Sequence, residues 1–547
     1  MTTDKRLIEE YIPIKAISAE ASREKSIRHG HISTLHLWWA RRPLVASRAA
    51  VFAALIPADA QPQLIDYETK APYTLNKFVI DLCKWEVRPE VLDEARRLIR
   101  EAYPENPPKV LDMFAGGGSI PLEALRLGCE AYALDLNPVA HIIELATLVY
   151  PQKYGSKLAD DVRKWGEWVL ERVRAEVGDL YPLIRDPEID SLTPQAPLLG
   201  EKGSTKQMRM FPSDQAEQLE LPEGADEDEE DPLDGTSVDV PFGYVQPVAY
   251  LWTRTVTCPN PGCRATVPLV RQTWLKKKKG DNVALAMLPH PSENRMAFYV
   301  KKVRDPQEFG FDPAAFSERG NSVCGRCGST VDSGYIKTEG KAGRMGAQMM
   351  ATVCVRPGTR GKVYLSPDEQ ALPVPDEAAI RARIEALTAE TGITPPDEPL
   401  PEKLTGGMCT IYGLDQFYKL FSFRQLLTLL TITKVIHQAH AALSETFVDA
   451  EYARAVSTFL GMMLSRLTDF SSTLSTFNST GGRGTKNTFA RQALPMVWDF
   501  SETNPISGVA ADWQSSIRAV KKTLPDLLTI GSTPANVSRG SATRFAL

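Results

Sequence analysis

The 547-residue sequence predicts an α/β protein: a parallel strand–helix–strand unit, a helical segment ahead of it and an inserted β module behind it. Three observations carry this expectation. Residues 110–114 are a short apolar run that ends in a turn containing Gly116, Gly117 and Gly118, and a helical pattern follows. A second apolar run, residues 131–134, ends in Asp135, one strand–helix–strand unit after Asp112. Farther on, alternating runs at 245–255 and 297–303 read as strands, with cysteine pairs between and after them.

Composition bounds the class. Hydrophobic residues make up 43% and charged residues 24%, as in a globular protein with several domains. No apolar run reaches the ~20 residues that span a bilayer, and the N-terminus lacks a signal-peptide core, so a cytoplasmic location is expected. The net charge of −5 argues against a simple basic nucleic-acid binder. Seven acids crowd residues 223–231, however, and the remainder is nearly balanced, so local clusters must decide the partner.

Residues 1–108 read as a helical N-terminal segment. Within it, residues 23–43 are rich in basic and aromatic groups and hold His29, His31 and His36. This stretch reads either as an amphipathic helix anchored by Trp38 and Trp39 and ending before Pro43, or as a basic-aromatic surface for phosphates or for a pocket. The three histidines are also weighed as metal ligands. Residues 109–183 form the core unit. Its glycines permit positive φ and close approach of a ligand to the backbone. Ser119 is expected to cap the next helix, with Leu122, Ala124, Leu125 and Leu127 on its buried side. Asp135, at the carboxyl edge of the second strand, can accept from ribose hydroxyls. A long amphipathic helix follows through Leu158, Val162, Trp165, Trp168, Val169, Val173 and Val177.

Residues 184–240 are proline- and acid-rich and read as a disordered linker. Residues 241–360 read as the inserted β module. Its pairs Cys258/Cys263 and Cys324/Cys327 sit in Gly/Pro knuckles about 60 residues apart, a pattern that suits a closed structural Zn²⁺ site of four thiolates. Lys276 to Lys279, Lys301, Lys302 and Arg304 are candidate phosphate contacts. Residues 361–510 read as helical, with Cys354 just before them and Cys409 as packing residues. They end in a polar ladder of Arg491, Gln492, Asp499, Glu502 and Asn504 that could line a substrate face. Residues 511–547 close the chain.

The pair Asp-x-Phe-Ala-Gly-Gly-Gly (112–118) and Asp-Leu-Asn-Pro (135–138) resembles motifs I and II of the Rossmann-like methyltransferases that bind S-adenosylmethionine. That resemblance implies Asp112 and Gly116 to Gly118 beside the methionine end of the cofactor and Asp135 on its ribose. Phe114, Ala115 and Asn137 would share the pocket. The phrase His-Gly-His-x-Ser-Thr-Leu-His-Leu-Trp-Trp-Ala-Arg-Arg-Pro-Leu (29–44) resembles the opening of a zinc-ribbon-containing family of adenine-specific DNA methylases, the DUF1156 group. By that resemblance Trp38, Trp39, Arg41 and Arg42 would close over the cofactor and meet nucleic acid, and 241–360 would be a zinc ribbon. Residues 489–505 resemble the same family. Residues 536–547 resemble its third sheet strand, with Ala542 beside the cofactor adenine.

The resemblance therefore implies an adenine-N6 DNA methyltransferase from a restriction or phage-defence setting, with DNA as partner. An RNA or cytosine-N4 amino-methyltransferase, or a non-catalytic zinc-ribbon nucleic-acid-binding subunit, are the alternatives. In the family the next strand carries Asp-Pro-Pro-Tyr. No Asp-, Asn- or Ser-Pro-Pro-aromatic sequence occurs in these 547 residues, and Asn106-Pro-Pro-Lys109 lacks the aromatic. The expectation is thus a partial Rossmann-like sheet, first strands only, inactive alone and completed by a downstream-encoded chain.

Overall fold

The computed structural model describes residues 5–24, 31–66, 70–189, 240–316, 320–359, 361–374, 376–479, 484–489, 493–509, 511–531 and 533–544. The fold is mixed α/β, with several small sheets and no closed barrel. Nearly all of the expected acidic linker lies outside the described residues, as do His29, Arg491 and Gln492.

After a single helical turn at Leu7–Glu10 come the helices Ile14–Glu24 (α1), Leu44–Leu55 (α2), Leu75–Leu82 (α3) and Pro89–Ala102 (α4). Proline at the first helical position and an apolar face of Val91, Leu92, Ala95, Leu98 and Ile99 account for α4. Residues 35–43 are not the amphipathic helix expected. After a short 3₁₀ turn at Ile32–Thr34 the chain runs without helix to Pro43. Glu24 explains the restart, because its carboxylate accepts from the Leu44 and Val45 N–H groups at 3.0 Å each and so caps α2 from outside.

The core unit follows: strand Lys109–Asp112 (β1), helix Ser119–Arg126 (α5), strand Glu130–Asp135 (β2) and helix Pro138–Glu144 (α6), which runs into a π-helical stretch, Leu145–Val149. Gly118, at φ +75°, is the N-cap of α5; Ser119 is its first residue rather than the expected cap. Helix Ser156–Val177 (α7) buries Leu158, Val162, Val169 and Val173.

The β module holds strands Tyr244–Thr257 (β3), Trp274–Lys276 (β4), Asn282–Pro289 (β5), Met296–Val303 (β6), Gly346–Val355 (β7) and Lys362–Leu365 (β8). Then come helices Phe423–Thr446 (α8) and Ala450–Thr468 (α9), strand Asp499–Thr503 (β9), helix Trp513–Leu528 (α10) and strand Asn536–Arg539 (β10). The main antiparallel sheet runs β8-β7-β3-β9, and it therefore spans residues from 244 to 503. A second antiparallel sheet, β4-β5-β6, packs on it through Leu251, Leu275, Leu285, Phe298 and Met350. Helix α8 is long and apolar enough to cross a bilayer, but 61% of its apolar window is buried, packed with α7 and α9.

The sheet that positions the site is β1-β2-β10, parallel throughout. Its register sets Asp112 opposite Ala133 and Arg539 opposite Asp135, so the two acids end adjacent strands. Thus residues 536–539 pair with a strand some four hundred residues earlier, and β2 is central. Among the described residues no strand pairs with the outer edge of β1.

Helix α2 is locked to α5 by a buried ion pair. Arg48 Nε lies 2.6 Å from Glu123 Oε2, and Arg126 Nε lies 3.2 Å from Oε1; Glu123 is fully buried. Arg48 also donates to the Leu82 carbonyl at the end of α3. Removing one partner leaves a charge buried and uncompensated. Arg48→Ala is expected to cost about 3–5 kcal/mol in urea unfolding, whereas replacing the whole cluster (Arg48→Met, Glu123→Leu, Arg126→Leu) costs far less. Equal losses in the single and triple variants would contradict this assignment.

Candidate cofactor pocket and metal centre

The glycine turn is built from backbone pairs and two acids. The Ala115 N–H donates to the Leu134 carbonyl (3.1 Å), tying the turn to β2, and the Gly118 N–H closes it on the Ala115 carbonyl (2.7 Å). Gly116 and Gly118 sit at φ +53° and +75°. Asp135 accepts from the Gly116 N–H (2.9 Å) and the Asn137 N–H (2.8 Å), which leaves each carboxylate oxygen further acceptor capacity. Asn137 caps α6 through Val139 N–H (2.9 Å), and Asp112 accepts from the Phe114 N–H (3.0 Å). Phe114 itself is 78% exposed at the mouth, and Ala115 is buried.

Trp38 lies directly over this turn. A Cβ at Gly116 would stand 2.5 Å from Trp38 Nε1, and one at Gly117 would meet Trp38 Cβ at 3.4 Å and Arg41 Cγ at 3.5 Å. The two tryptophans are therefore separated. Trp39 is mostly exposed and donates to the Phe489 carbonyl at 2.6 Å, away from the glycines. Arg41 reaches His31 Nδ1 at 3.1 Å, and the Arg42 charge acts on Asp112. His31 is held by Glu24 and Ser33, and His36 by the Leu37 carbonyl and Ser465, so both serve packing. Ala542 is half-buried in a short turn just past β10, where the Gly540 N–H donates to the Asp135 carbonyl (3.0 Å).

A third acid, which the sequence did not single out, belongs to this site. Glu144 ends α6 with no exposed surface, and among the described residues neither carboxyl oxygen has a hydrogen-bond partner. Burial, then the charges of Asp135 and Asp112, push its carboxyl up to about 8. The Ser119 hydroxyl, on the first residue of α5, is likewise buried and unpartnered. Three carboxyl groups and the Ser119 hydroxyl thus gather around a glycine turn that Trp38 covers. Such a set suits a cationic ligand with hydroxyl groups; the acids would repel a pyrophosphate. An acid inside the apolar run Ile142-Ile143-Glu144-Leu145 was the signal that could have found it.

The four cysteines Cys258, Cys263, Cys324 and Cys327 come together, all thiol sulfurs within 4.8 Å of one another. Cys258 Sγ is 3.7 Å from Cys327 Sγ, and Cys263 Sγ is 3.8 Å from Cys324 Sγ. Each pair sits on a tight turn: Cys263 N–H donates to the Asn260 carbonyl (3.0 Å), and Gly328 N–H to the Cys324 carbonyl (2.8 Å). The cluster can hold a metal ion. Cys354 and Cys409 are buried among apolar neighbours, as expected.

The polar ladder does not form one face. Glu502 is buried against Arg424 at 2.9 Å, and Asn504 donates to the Pro247 carbonyl at 2.8 Å. Of its described members, Asp499 alone lines the cavity beside the β4-β5-β6 sheet.

Residues 11–78 match a family described as a protein of unknown function, DUF1156. No curated protein matches the chain, and no solved structure does. The DUF1156 segment thus contains Trp38, the Glu24 cap and Arg48, the parts that dock it on the glycine turn and on α5.

Glu144 makes stability pH-dependent in a defined direction. Its folded pKa, about 8, lies above the ordinary 4.5, so the folded state keeps a proton that the unfolded chain releases. Stability from this group is full below about pH 4.5 and falls as pH rises towards 8. Glu144→Gln should flatten the profile in that window, read as urea midpoints at its two ends. Parallel profiles for the two proteins would contradict the assignment.

Proposed function

We propose that this chain is the cofactor-binding and DNA-recognition part of an S-adenosylmethionine-dependent adenine-N6 DNA methyltransferase. The observation that carries the reading is the covered glycine turn: positive-φ glycines, Asp112 and Asp135 ending adjacent parallel strands, and Trp38 laid on the backbone. In this reading the sheet β1-β2-β10 is the first part of a Rossmann-like methyltransferase sheet. The cofactor would supply an electrophilic methyl on a sulfonium. Its positive charges suit Asp112 and Asp135, and its ribose hydroxyls suit the spare acceptor capacity of Asp135. Ser119 Oγ and the Glu144 carboxyl offer unused hydrogen-bonding groups to its polar end. Gly116 to Gly118 allow close approach, and Trp38 keeps water from the turn.

Transfer to an exocyclic amino group needs its lone pair aligned with the methyl and its protons accepted. The sequence holds no Asp-Pro-Pro-aromatic motif to do this. The open edge of β1, flanked by exposed Met113 and Phe114, is where a strand bearing those groups would pair; a downstream-encoded chain is the proposed source.

The four-cysteine cluster is proposed as structural zinc. A Zn–S bond of ~2.3 Å sets tetrahedral thiolates ~3.8 Å apart, which the observed sulfur separations match. Elemental analysis is expected to give about one zinc per chain, lost on Cys324→Ser together with β-module stability. A folded protein free of metal would refute it.

Titration calorimetry with S-adenosylhomocysteine tests the cofactor reading. Gly116→Ala should abolish binding, because its Cβ would strike Trp38 at positive φ, and Asp135→Ala should weaken it at least about tenfold. Gly117→Ala, with ordinary φ and contacts no closer than 3.4 Å, should bind nearly normally. Wild-type affinity in Gly116→Ala and Asp135→Ala would place the pocket elsewhere.

A further inference from the structure

A cavity of about 830 Å³ opens between the β4-β5-β6 sheet and residues 476–500, far along the chain from the glycine turn. The Lys277 N–H donates to the Ser479 carbonyl at 3.0 Å and fastens its two sides together. Trp274, Phe477 and Trp498 contribute aromatic walls. Each ring is already held by a neighbour: Trp274 by Phe309 and by the Lys277 ammonium 4.6 Å from its centre, Trp498 by Tyr412, and Phe477 by the Lys362 ammonium. Rings held this way are preorganised platforms for a planar ligand.

The cavity also presents polar groups with capacity to spare. Asp499 Oδ2 accepts from the Arg271 and Gln272 N–H groups at 2.8 and 3.0 Å, and the Thr253 hydroxyl lies against the same carboxyl. The Thr273 hydroxyl is buried and unpartnered among the described residues. Burial pushes the Asp499 carboxyl up to about 6, which leaves it an ionised acceptor at neutral pH. Both residues line the cavity, Asp499 with its side chain partly exposed. At the rim, Arg271, Lys277 and Lys486 are exposed, and none has an ion-pair partner among the described residues.

We infer that this cavity binds a nucleoside phosphate, with an amino-bearing base stacked on the aromatic walls, its N–H groups directed to Asp499, and its phosphate held by Lys277 and Lys486. An acidic peptide would satisfy the rim cations but would set its carboxylates against Asp499. An apolar ligand would leave both the acid and the cations unmet. The volume lies within the range of pockets that enclose a small ligand. The same chemistry is offered by a free nucleotide and by one unit of a single-stranded nucleic acid. This inference is independent of the methyl-transfer reading, because the cavity shares no residue with the glycine-turn pocket.

The test uses the full chain, a fluorescein-labelled single-stranded DNA oligonucleotide, and AMP and dTMP as competitors. The wild type is expected to bind. Phe477→Ala should weaken binding about tenfold, and Lys277→Ala with Lys486→Ala should also make the salt dependence shallower by about 1.4 in log–log slope. Asp499→Asn should abolish the preference for AMP over dTMP. Thermal midpoints of the lysine variant, whose changes are at the surface, certify the fold. Displacement by AMP identifies a free-nucleotide site, and binding of the oligonucleotide alone identifies a strand site. No binding of either probe, or wild-type binding by all these variants, overturns the inference.

Discussion

Glu123 sits at zero exposure between two arginines that come from distant stretches of the chain, and the site depends on that arrangement. A carboxylate in such a place is tolerable only when both guanidinium groups are present. Arg126 belongs to its own helix, but Arg48 arrives on α2, so α2 must dock on α5 for the charge to be compensated. Docking fixes the start of α2, where Glu24 caps the exposed N–H groups, and hence the unhelical stretch at 35–43 that lays Trp38 on Gly116. The electrostatic lock therefore dictates the covering of the turn.

Two sites of opposite electrical character result. The glycine turn gathers the acids Asp112, Asp135 and Glu144; the β-module cavity sets the exposed Arg271, Lys277 and Lys486 around Asp499. They rest on different sheets, the first parallel and closed by β10, the second antiparallel and braced by the four-cysteine turns at 258–263 and 324–328.

The local part of this was legible in the sequence. The glycine turn, Asp112 and Asp135 follow from strand-end and turn chemistry that acts over a few residues, and the cysteine pairs carry their own spacing. The return of residues 536–539 to the side of β2 came from resemblance and appears in the parallel register of β10. What could not be read depends on contacts across hundreds of residues. Nothing local separates Trp38 from Trp39, yet one covers Gly116 and the other bonds to Phe489. Ser119 looks like a cap because serine usually is one, but the left-handed Gly118 takes the position and frees the hydroxyl. Glu144 passes for an ordinary helix residue until β1 and β2 bring two more acids to it. Glu502 and Asn504 are consumed by long-range pairing with Arg424 and Pro247, which dissolves the apparent ladder.

The most direct measurement is photo-crosslinking of methyl-labelled S-adenosylmethionine to the intact chain, with the labelled peptides mapped by mass spectrometry. Label is predicted on the peptide containing Trp38 and on the peptide spanning residues 112–118, and excess unlabelled S-adenosylhomocysteine should remove it from both. Label confined to other peptides, or label that the competitor does not displace, would contradict a cofactor pocket formed by the glycine turn and covered by the DUF1156 segment.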